Sequence, residues 1–295
     1  MEGAIVDVSI KRQDVEVVGG PLAVYQLGAG PVPVLAVHGI TASSRNWLAV
    51  ARALAGRATL VAPDLRGRGR SNGLPEPYGI EAYVRDLLAV LNALGSEQVV
   101  AMGHSLGGYI VARLAADHPH RVRSAVLVDG GLTQPGAERI ADSEGFADQV
   151  LGPALARLRM EFPDREAYHQ WWREHPAFAG DVVRREDLEA YADHDLIGES
   201  PHMHSAVVER AVRHDAPEVL RSGEAAHRLE VPTTHLCAER GLLNEPNPFQ
   251  PRELVEAWAA EAPELRRAVP VPGTNHYTLA LGAPGAEAIA EAVAN

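Results

Sequence analysis

The chain has 295 residues, a length that a large single domain can reach. Its hydrophobic fraction of 46% and charged fraction of 22% are typical of a globular protein with a buried core, and they exclude wholesale disorder. The net charge of −12 repels phosphate backbones, so we expect no nucleic-acid partner.

Cysteine content and hydropathy bear on the compartment. Cys237 is the only cysteine, so an internal disulfide is impossible, which fits a reducing compartment. The N-terminus lacks a basic segment followed by an apolar one, and no apolar run is long enough to span a bilayer. We therefore expect a cytoplasmic protein with no membrane partner.

The first part of the chain alternates strand and helix patterns. Short apolar, β-branched runs predict strands at Val15–Val18, Leu22–Leu27, Val32–Val37, Ala58–Ala62, Val99–Met102 and Ser124–Val128, with a hairpin turn at Gly19-Gly20-Pro21. Apolar residues at helical spacing predict helices at Ser44–Leu54, Ile80–Leu94 and Leu106–His118. This alternation predicts a mostly parallel sheet with helices on both faces.

The pattern changes at Leu132. From there to Arg228 the strand signals fade, and helical, polar stretches with interleaved aromatic residues dominate. Because long loops without structure are uncommon in compact domains, this segment is predicted to be a helical insertion. The alternating pattern then returns, with strands at Val231–Cys237 and Arg267–Val271 and helices at Pro251–Ala262 and Gly285–Ala294. We expect a core of residues 1–131 and 229–295, with 132–228 inserted.

A serine motif lies between the predicted strand Val99–Met102 and the helix that follows. It reads Gly103-His104-Ser105-Leu106-Gly107. A Gly-x-Ser-x-Gly sequence occurs often by chance, but a strand before it and a helix after it are the context of a nucleophile elbow. This context predicts that Ser105 is a nucleophile at a helix N-terminus.

Four motifs together give the chain its resemblance to the α/β-hydrolase family. They are the serine motif, His38-Gly39 after the strand Val32–Val37, the turn Asp64-Leu65-Arg66-Gly67-Arg68-Gly69-Arg70-Ser71, and Asn275-His276-Tyr277. The resemblance implies an eight-stranded, mostly parallel sheet flanked by helices, with a helical cap. It also implies that His276 is the general base and that the backbone amides of Ile40 and Leu106 form the oxyanion hole.

More than one carboxylate is a candidate for the acid of the triad. The position that is commonest in the family follows Val231–Cys237, where this chain has Ala238-Glu239-Arg240-Gly241 and the usual aspartate slot holds Gly241. The other position used in the family follows the preceding strand, where this chain has Asp129. We therefore predict Asp129 as the acid, with Glu239 second and Glu245 third.

The insertion occupies the place where the family carries its cap, which roofs the nucleophile and shapes the substrate pocket. Its aromatic residues and methionines are expected to form a small core of their own, and some are expected to line the pocket. Candidate substrate-binding residues are Tyr168, Trp171, Trp172 and Met160. The oligomeric state stays open, although an aromatic-rich cap offers a surface for a homodimer.

The predicted reaction is hydrolysis of a hydrophobic carboxylic ester or lactone through an acyl-enzyme, with no cofactor and no metal. A lactone is of interest because zearalenone-degrading lactonases take their acid from the strand end that Asp129 occupies. A carbon–carbon bond hydrolase, a thioesterase and a perhydrolase are alternatives that use the same triad. A receptor on the same fold, which binds a ligand without hydrolysing it, is an alternative of another class.

Overall fold

The computed structural model describes residues 8–133, 136–141, 146–180 and 182–294. Eight of the strands in these residues form one sheet in the order β1-β2-β4-β3-β5-β6-β9-β10. Strand β2 runs antiparallel to β1 and β4, and all other pairs are parallel, so the predicted mostly parallel, eight-stranded sheet is confirmed. The strands are β1 (Ile10–Val17), β2 (Gly20–Leu27), β3 (Val32–Val37), β4 (Ala58–Pro63), β5 (Val99–His104), β6 (Val122–Val128), β7 (Leu196–Ile197), β8 (His204–Ser205), β9 (Thr233–Arg240) and β10 (Arg266–Asn275).

Helices cover both faces of the sheet, and each face has its own apolar core. Successive residues of β3 alternate between the two cores, Leu35 and Val37 facing one and Val34 and Ala36 the other, as the two-residue period of a strand requires. In the described residues no helix is both long enough and apolar enough to cross a bilayer. The helices are α1 (Leu48–Leu54), α2 (Ile80–Ala93), α3 (Leu106–Asp117), α4 (Ala137–Ala141), α5 (Phe146–Arg157), α6 (Arg165–Glu174), α7 (Arg185–Asp195), α8 (Glu209–Arg221), α9 (Glu224–His227), α10 (Arg252–Ala260), α11 (Thr278–Leu281) and α12 (Ala283–Ala294).

Several strands differ by a few residues from their predicted bounds, and the largest shifts at one end are those of β1 and β10. Strand β1 begins at Ile10 rather than Val15, because its solvent-facing residues are polar and hide the pattern. Strand β10 continues past Val271 to Asn275, and its register with β9 shifts between these two residues. The stretch Pro272-Gly273-Thr274, which follows the predicted strand Arg267–Val271, is an irregularity within β10.

The segment between β6 and β9 is largely helical, as predicted. It holds α4 to α9, together with the short antiparallel pair β7–β8, which the sequence pattern did not predict. An aromatic cluster packs Trp172 against Tyr168, Phe178 and Tyr191, and Tyr277 of the core joins it. We refer to residues 132–228 as the insertion.

Buried ionic groups fasten the insertion to the core. The Arg68 guanidinium lies 2.6 Å from the Asp215 carboxylate of α8, and neither side chain is exposed to solvent. The Tyr83 hydroxyl of α2 donates a second hydrogen bond to the same carboxylate oxygen, at 2.5 Å. A buried charge needs such partners, because leaving it unpaired away from water costs several kcal/mol.

We expect Asp215→Asn to lower the free energy of unfolding by about 3–5 kcal/mol, because the variant leaves the buried Arg68 guanidinium without its counter-charge. Urea unfolding followed by circular dichroism measures this. Asp14→Asn is the matched control, since Asp14 pairs with Arg12 at the surface, and such pairs contribute about 1 kcal/mol or less. Equal losses in the two variants would contradict the prediction.

Candidate active site

The turn that carries Ser105 is strained and tightly packed. Ser105 has φ 55° and ψ −121°, a conformation that side-chain-bearing residues rarely adopt and that is typical of a nucleophile elbow. A Cβ atom on Gly103 would lie 2.0 Å from the carbonyl oxygen of Gly107, and one on Gly107 would lie 2.0 Å from that of Val37. Both positions therefore require glycine, and the turn presents Ser105 at the N-terminus of α3.

His276 pairs with Asp129. The His276 Nδ1 atom lies 2.7 Å from Asp129 Oδ2, and both side chains are buried. Asp129 directly follows β6 and has φ 45°, and its Oδ1 atom accepts a hydrogen bond from the Ala238 amide of the next strand. The carboxylate thus reaches across the end of β9 to the histidine that follows β10. The His276 ring is packed between the rings of His104, at 4.7 Å, and Phe249, at 5.1 Å.

The two alternative carboxylates lie elsewhere. Glu239 is exposed, and its Oε2 atom accepts a hydrogen bond from the Gly273 amide, so it supports the irregular part of β10. Glu245 accepts a hydrogen bond from the Leu243 amide within the loop after β9. A Cβ atom on Gly241 would lie 2.5 Å from the Asn247 carbonyl oxygen, so the slot that commonly holds aspartate has no room for a side chain.

The loop after β3 lies against the serine turn. A Cβ atom on Gly39 would lie 3.2 Å from Ser105 Cβ, which places the Ile40 amide, next in the chain, close to the serine. Leu106 is the first residue of α3, so its amide has no acceptor within the helix. Both backbone donors that were predicted for an oxyanion hole therefore stand beside Ser105.

His38 holds this loop in place. The Leu65 amide donates to His38 Nε2 at 2.9 Å, so the proton of the neutral ring is on Nδ1, which donates to the Gly39 carbonyl at 2.8 Å. Burial lowers the pKa of His38 to about 4, which keeps the ring neutral. His38 is therefore a structural residue of this loop.

Asp64 and Arg66 are buried structural residues of the turn after β4. Asp64 accepts hydrogen bonds from the Ser44 and Arg70 amides and from His194 of α7. Burial alone would raise the pKa of Asp64. The hydrogen bond from His194, the electrostatic attraction to that ring and the hydrogen bond from the Arg70 amide outweigh burial and lower the pKa to about 2. Arg66 forms a two-pronged pair with Asp86 of α2.

Arg68, in the same turn, contacts the loop after β3. Its Nε atom donates to the Ile40 carbonyl at 3.0 Å. Arg157 of α5 reaches the neighbouring Thr41 carbonyl at 3.4 Å and pairs with Asp195 of α7. Sequence reasoning missed both arginines, because their carboxylate partners are far along the chain and no local motif connects them.

A cavity of about 50 Å³ opens beside Ser105 and His276. The core contributes the loop after β3 together with Leu242, Phe249 and Tyr277, and the insertion contributes Leu151, Tyr191, Ala216, Val219 and Leu220. Sequence reasoning did not select these residues, since their apolar character does not distinguish them from core positions.

The four candidate substrate-binding residues do not line this cavity. Tyr168 and Trp172 are buried in the aromatic cluster of the insertion, and Trp171 packs against that cluster with partial exposure. Met160 is 38% exposed at the surface. In this cavity the insertion instead contributes Tyr191 and four aliphatic side chains to the wall.

One group of described side chains has the composition of a metal site: His214, Asp215 and Glu218. Its atoms already have protein partners, because Asp215 Oδ2 binds Arg68 and Tyr83 and Glu218 Oε2 accepts from the Ile80 amide. The spacing of His202 and His204 is compatible with metal ligation, but His202 is exposed and its Nδ1 atom lies 2.9 Å from Glu161 Oε2.

Comparison with known proteins decides the family. Residues 32–164 match the family model described as alpha/beta hydrolase fold. A "3-hydroxybutyrate-oligomer hydrolase" of Cupriavidus necator is 31% identical over 206 residues, which cover 67% of each chain. The chain belongs to the α/β-hydrolase family. Within this family it is similar to "Lipase LipV" of Mycobacterium tuberculosis, at 37% identity over 131 residues, which are 44% of this chain and 49% of the lipase.

Solved structures of α/β-hydrolases share the whole fold. The crystal structure of an E-2-(acetamidomethylene)succinate hydrolase covers 97% of this chain and 98% of its own, with a TM-score of 0.76 and 22% identity. A thioesterase domain from the curacin biosynthetic pathway gives a TM-score of 0.74 at 20% identity, over 97% of this chain and 100% of its own. At these identities the likeness establishes the fold alone. The chain spans about half or less of the length of the first curated relatives it matches.

His38 predicts a pH dependence of stability. Its pKa falls from 6.5 to about 4 on folding. As the pH drops from 6.5 towards 4, the unfolded chain takes up a proton that the folded α/β-hydrolase does not, so the free energy of unfolding falls by up to about 1.4 kcal/mol per pH unit from this residue. Urea unfolding of wild type and His38→Gln at pH 6.5 and 5 measures the contribution. Glutamine keeps an acceptor for the Leu65 amide but does not titrate, so its slope should be shallower; equal slopes would refute the assignment.

Proposed function

We propose that the protein is a serine hydrolase that cleaves a carboxylic ester or lactone through an acyl-enzyme. The observation that carries the proposal is the 2.7 Å contact between His276 and Asp129, in a cavity wall that also holds the elbow serine. A histidine that is oriented by a carboxylate, beside a serine at a helix N-terminus, is the arrangement that activates a hydroxyl for attack on a carbonyl.

The proposed mechanism assigns one task to each group. His276 donates a hydrogen bond from Nδ1–H to the Asp129 carboxylate, which fixes the tautomer whose Nε2 is unprotonated and can take the proton from the Ser105 hydroxyl. Ser105 attacks the carbonyl carbon, and the amides of Ile40 and Leu106 stabilise the alkoxide. As the bond between the carbonyl carbon and the alkoxy oxygen breaks, His276 passes the proton to that oxygen. His276 then takes a proton from a water molecule that attacks the acyl-enzyme, and returns it to the Ser105 oxygen as the bond from the acyl carbon to Ser105 breaks and the acid leaves.

The insertion is proposed to act as a cap over this chemistry. Five of its residues line the cavity beside Ser105, and the buried pair of Arg68 and Asp215 fastens it to the core. Excluding water strengthens the electrostatic interactions of the site. A cavity of about 50 Å³ holds only a few water-sized groups, which favours a short acyl chain over a long lipid when the cap is docked.

The names of the relatives favour an ester. The lipase and the 3-hydroxybutyrate-oligomer hydrolase are similar to this chain over 44% and 67% of its length. Other relatives carry other names: a "2-hydroxymuconate semialdehyde hydrolase" of Pseudomonas is 32% identical over 168 residues, and a "Putative non-heme haloperoxidase" of a mycobacterial phage is 34% identical over 117 residues. Ester or lactone turnover is therefore the first activity to measure.

We expect wild type to hydrolyse short-chain p-nitrophenyl esters and to be labelled at Ser105 by a fluorophosphonate. Ser105→Ala should lose labelling and nearly all turnover, because the variant lacks the hydroxyl that the elbow presents to the cavity. Ser9→Ala is the matched control, since Ser9 is exposed, donates to the Gly28 carbonyl at 3.0 Å and does not line the cavity. If wild type neither hydrolyses these esters nor is labelled, the result contradicts the proposal and favours a binding protein.

The identity of the acid has its own test. Asp129→Asn should lower kcat by a factor on the order of 10⁴, because the amide no longer holds His276 in the required tautomer. Glu239→Gln should stay near wild type, since Glu239 contacts the Gly273 amide rather than His276. A large loss of kcat in Glu239→Gln with Asp129→Asn near wild type would reverse the assignment.

A further inference from the structure

Two of the polar side chains in the wall of the cavity beside Ser105 carry a donor atom without a partner. They are Asn46 and Tyr191, which are 1% and 2% exposed. Within the part of the chain that the structure describes, neither Asn46 Nδ2 nor the Tyr191 hydroxyl has a hydrogen-bond partner. Folded proteins pair almost all of their buried polar atoms, so two unpaired donors in one cavity call for a ligand.

The two donors come from opposite sides of the site. Asn46 lies in the 3₁₀ turn Ser44–Trp47, which directly follows the loop that holds Ile40. Tyr191 lies on α7 of the insertion, and α7 packs against this turn. The edge of Trp172 supports the Tyr191 ring, with 5.2 Å between ring centroids. The core and the insertion thus each contribute one donor.

The chemistry of the wall selects an uncharged acceptor. Burial raises the pKa of Tyr191 well above its usual range, so its hydroxyl keeps its proton and can donate. The lining contains no arginine or lysine, and the nearby Arg157 guanidinium is paired with Asp195. A carboxylate would therefore be desolvated without a counter-charge, which is costly. His104 Nδ1 also lacks a partner, but it is an acceptor, because Nε2 donates to the His276 carbonyl at 2.8 Å.

We propose that Asn46 and Tyr191 form a subsite for a second carbonyl oxygen of the substrate, so that the preferred ester carries an additional, uncharged keto or ester carbonyl. A carbonyl oxygen has two lone pairs and can accept one hydrogen bond from each donor. This inference rests on the proposed ester hydrolysis, and it specifies the substrate class of that same site.

The test compares esters that differ only in the group at the subsite. Ethyl 4-oxopentanoate, ethyl 4-methylpentanoate and monoethyl succinate place a keto oxygen, a methyl group or a charged oxygen on nearly the same skeleton. The 3-oxo and 5-oxo homologues, and oxoalkyl acetates with their methyl-branched counterparts, move the second carbonyl along the acyl and alkoxy chains. Wild type should show a higher kcat/KM for a keto ester than for its methyl-branched partner in at least one pair.

Tyr191→Phe should reduce that preference by roughly 3- to 10-fold, the change expected from one neutral hydrogen bond, and Asn46→Leu should reduce it similarly. The ratio between the two esters cancels any general loss of activity. Tyr277→Phe is the matched control for the ratio, because Tyr277 lines the same cavity and its hydroxyl, which interacts with the Thr41 side chain, is not among the buried atoms without a partner. Its keto preference should equal that of wild type.

Binding to Ser105→Ala separates this inference from the proposed function. Calorimetry should show tighter binding of the keto ester than of its methyl-branched partner, and Tyr191→Phe in the same background should remove the difference. If wild type turns over no ester, the proposed function fails while this binding difference still tests the subsite. Equal kcat/KM for every keto and methyl pair, a preference for monoethyl succinate, or a preference that survives both variants would overturn the subsite.

Discussion

Close backbone contacts at the carboxyl ends of the parallel strands fix the positions of Ser105 and of the loops around it. The loop after β6 approaches the serine so tightly that a Cβ atom on Gly130 would lie 2.2 Å from the Ser105 carbonyl oxygen. Because Gly130 follows Asp129, this contact also sets where the carboxylate begins. Parallel strands end at a common edge, so β3, β5 and β6 deliver Gly39, Ser105 and Asp129 to neighbouring places. A bulky residue at any of these contacts would displace several groups together.

The sequence predicts most of the sheet and of the Ser105 surroundings, because both depend on local patterns. Buried strands are continuous apolar runs, and the serine turn needs glycines at fixed spacing. The choice of Asp129 over Glu239 also follows from local sequence, since Gly241 occupies the alternative slot. What the sequence could not predict depends on long-range packing. The partners of Arg68 and Arg157 lie 147 and 38 residues away in the chain, and nothing nearby signals them.

The residues that form the wall of the cavity could not be predicted from the sequence either. Tyr191 stands out in the sequence only as one of several aromatic residues in the insertion, whereas Trp171 and Trp172 attract notice because they are adjacent. In the structure Trp172 supports Tyr191 from behind, and Tyr191 faces the cavity. Which aromatic ring reaches the cavity is set by how α6 and α7 pack on one another, and helical periodicity alone does not determine that packing.

Arg68 connects the loop after β3 to the insertion. One guanidinium donates to the Ile40 carbonyl and pairs with Asp215 of α8. The peptide plane that begins at the Ile40 carbonyl and the docking of the insertion therefore share a single charged group. By thermodynamic reciprocity, any coupling free energy that Arg68 provides between the loop and the insertion acts equally in both directions. A substitution of Arg68 therefore removes a contact of the loop and a contact of the insertion at the same time.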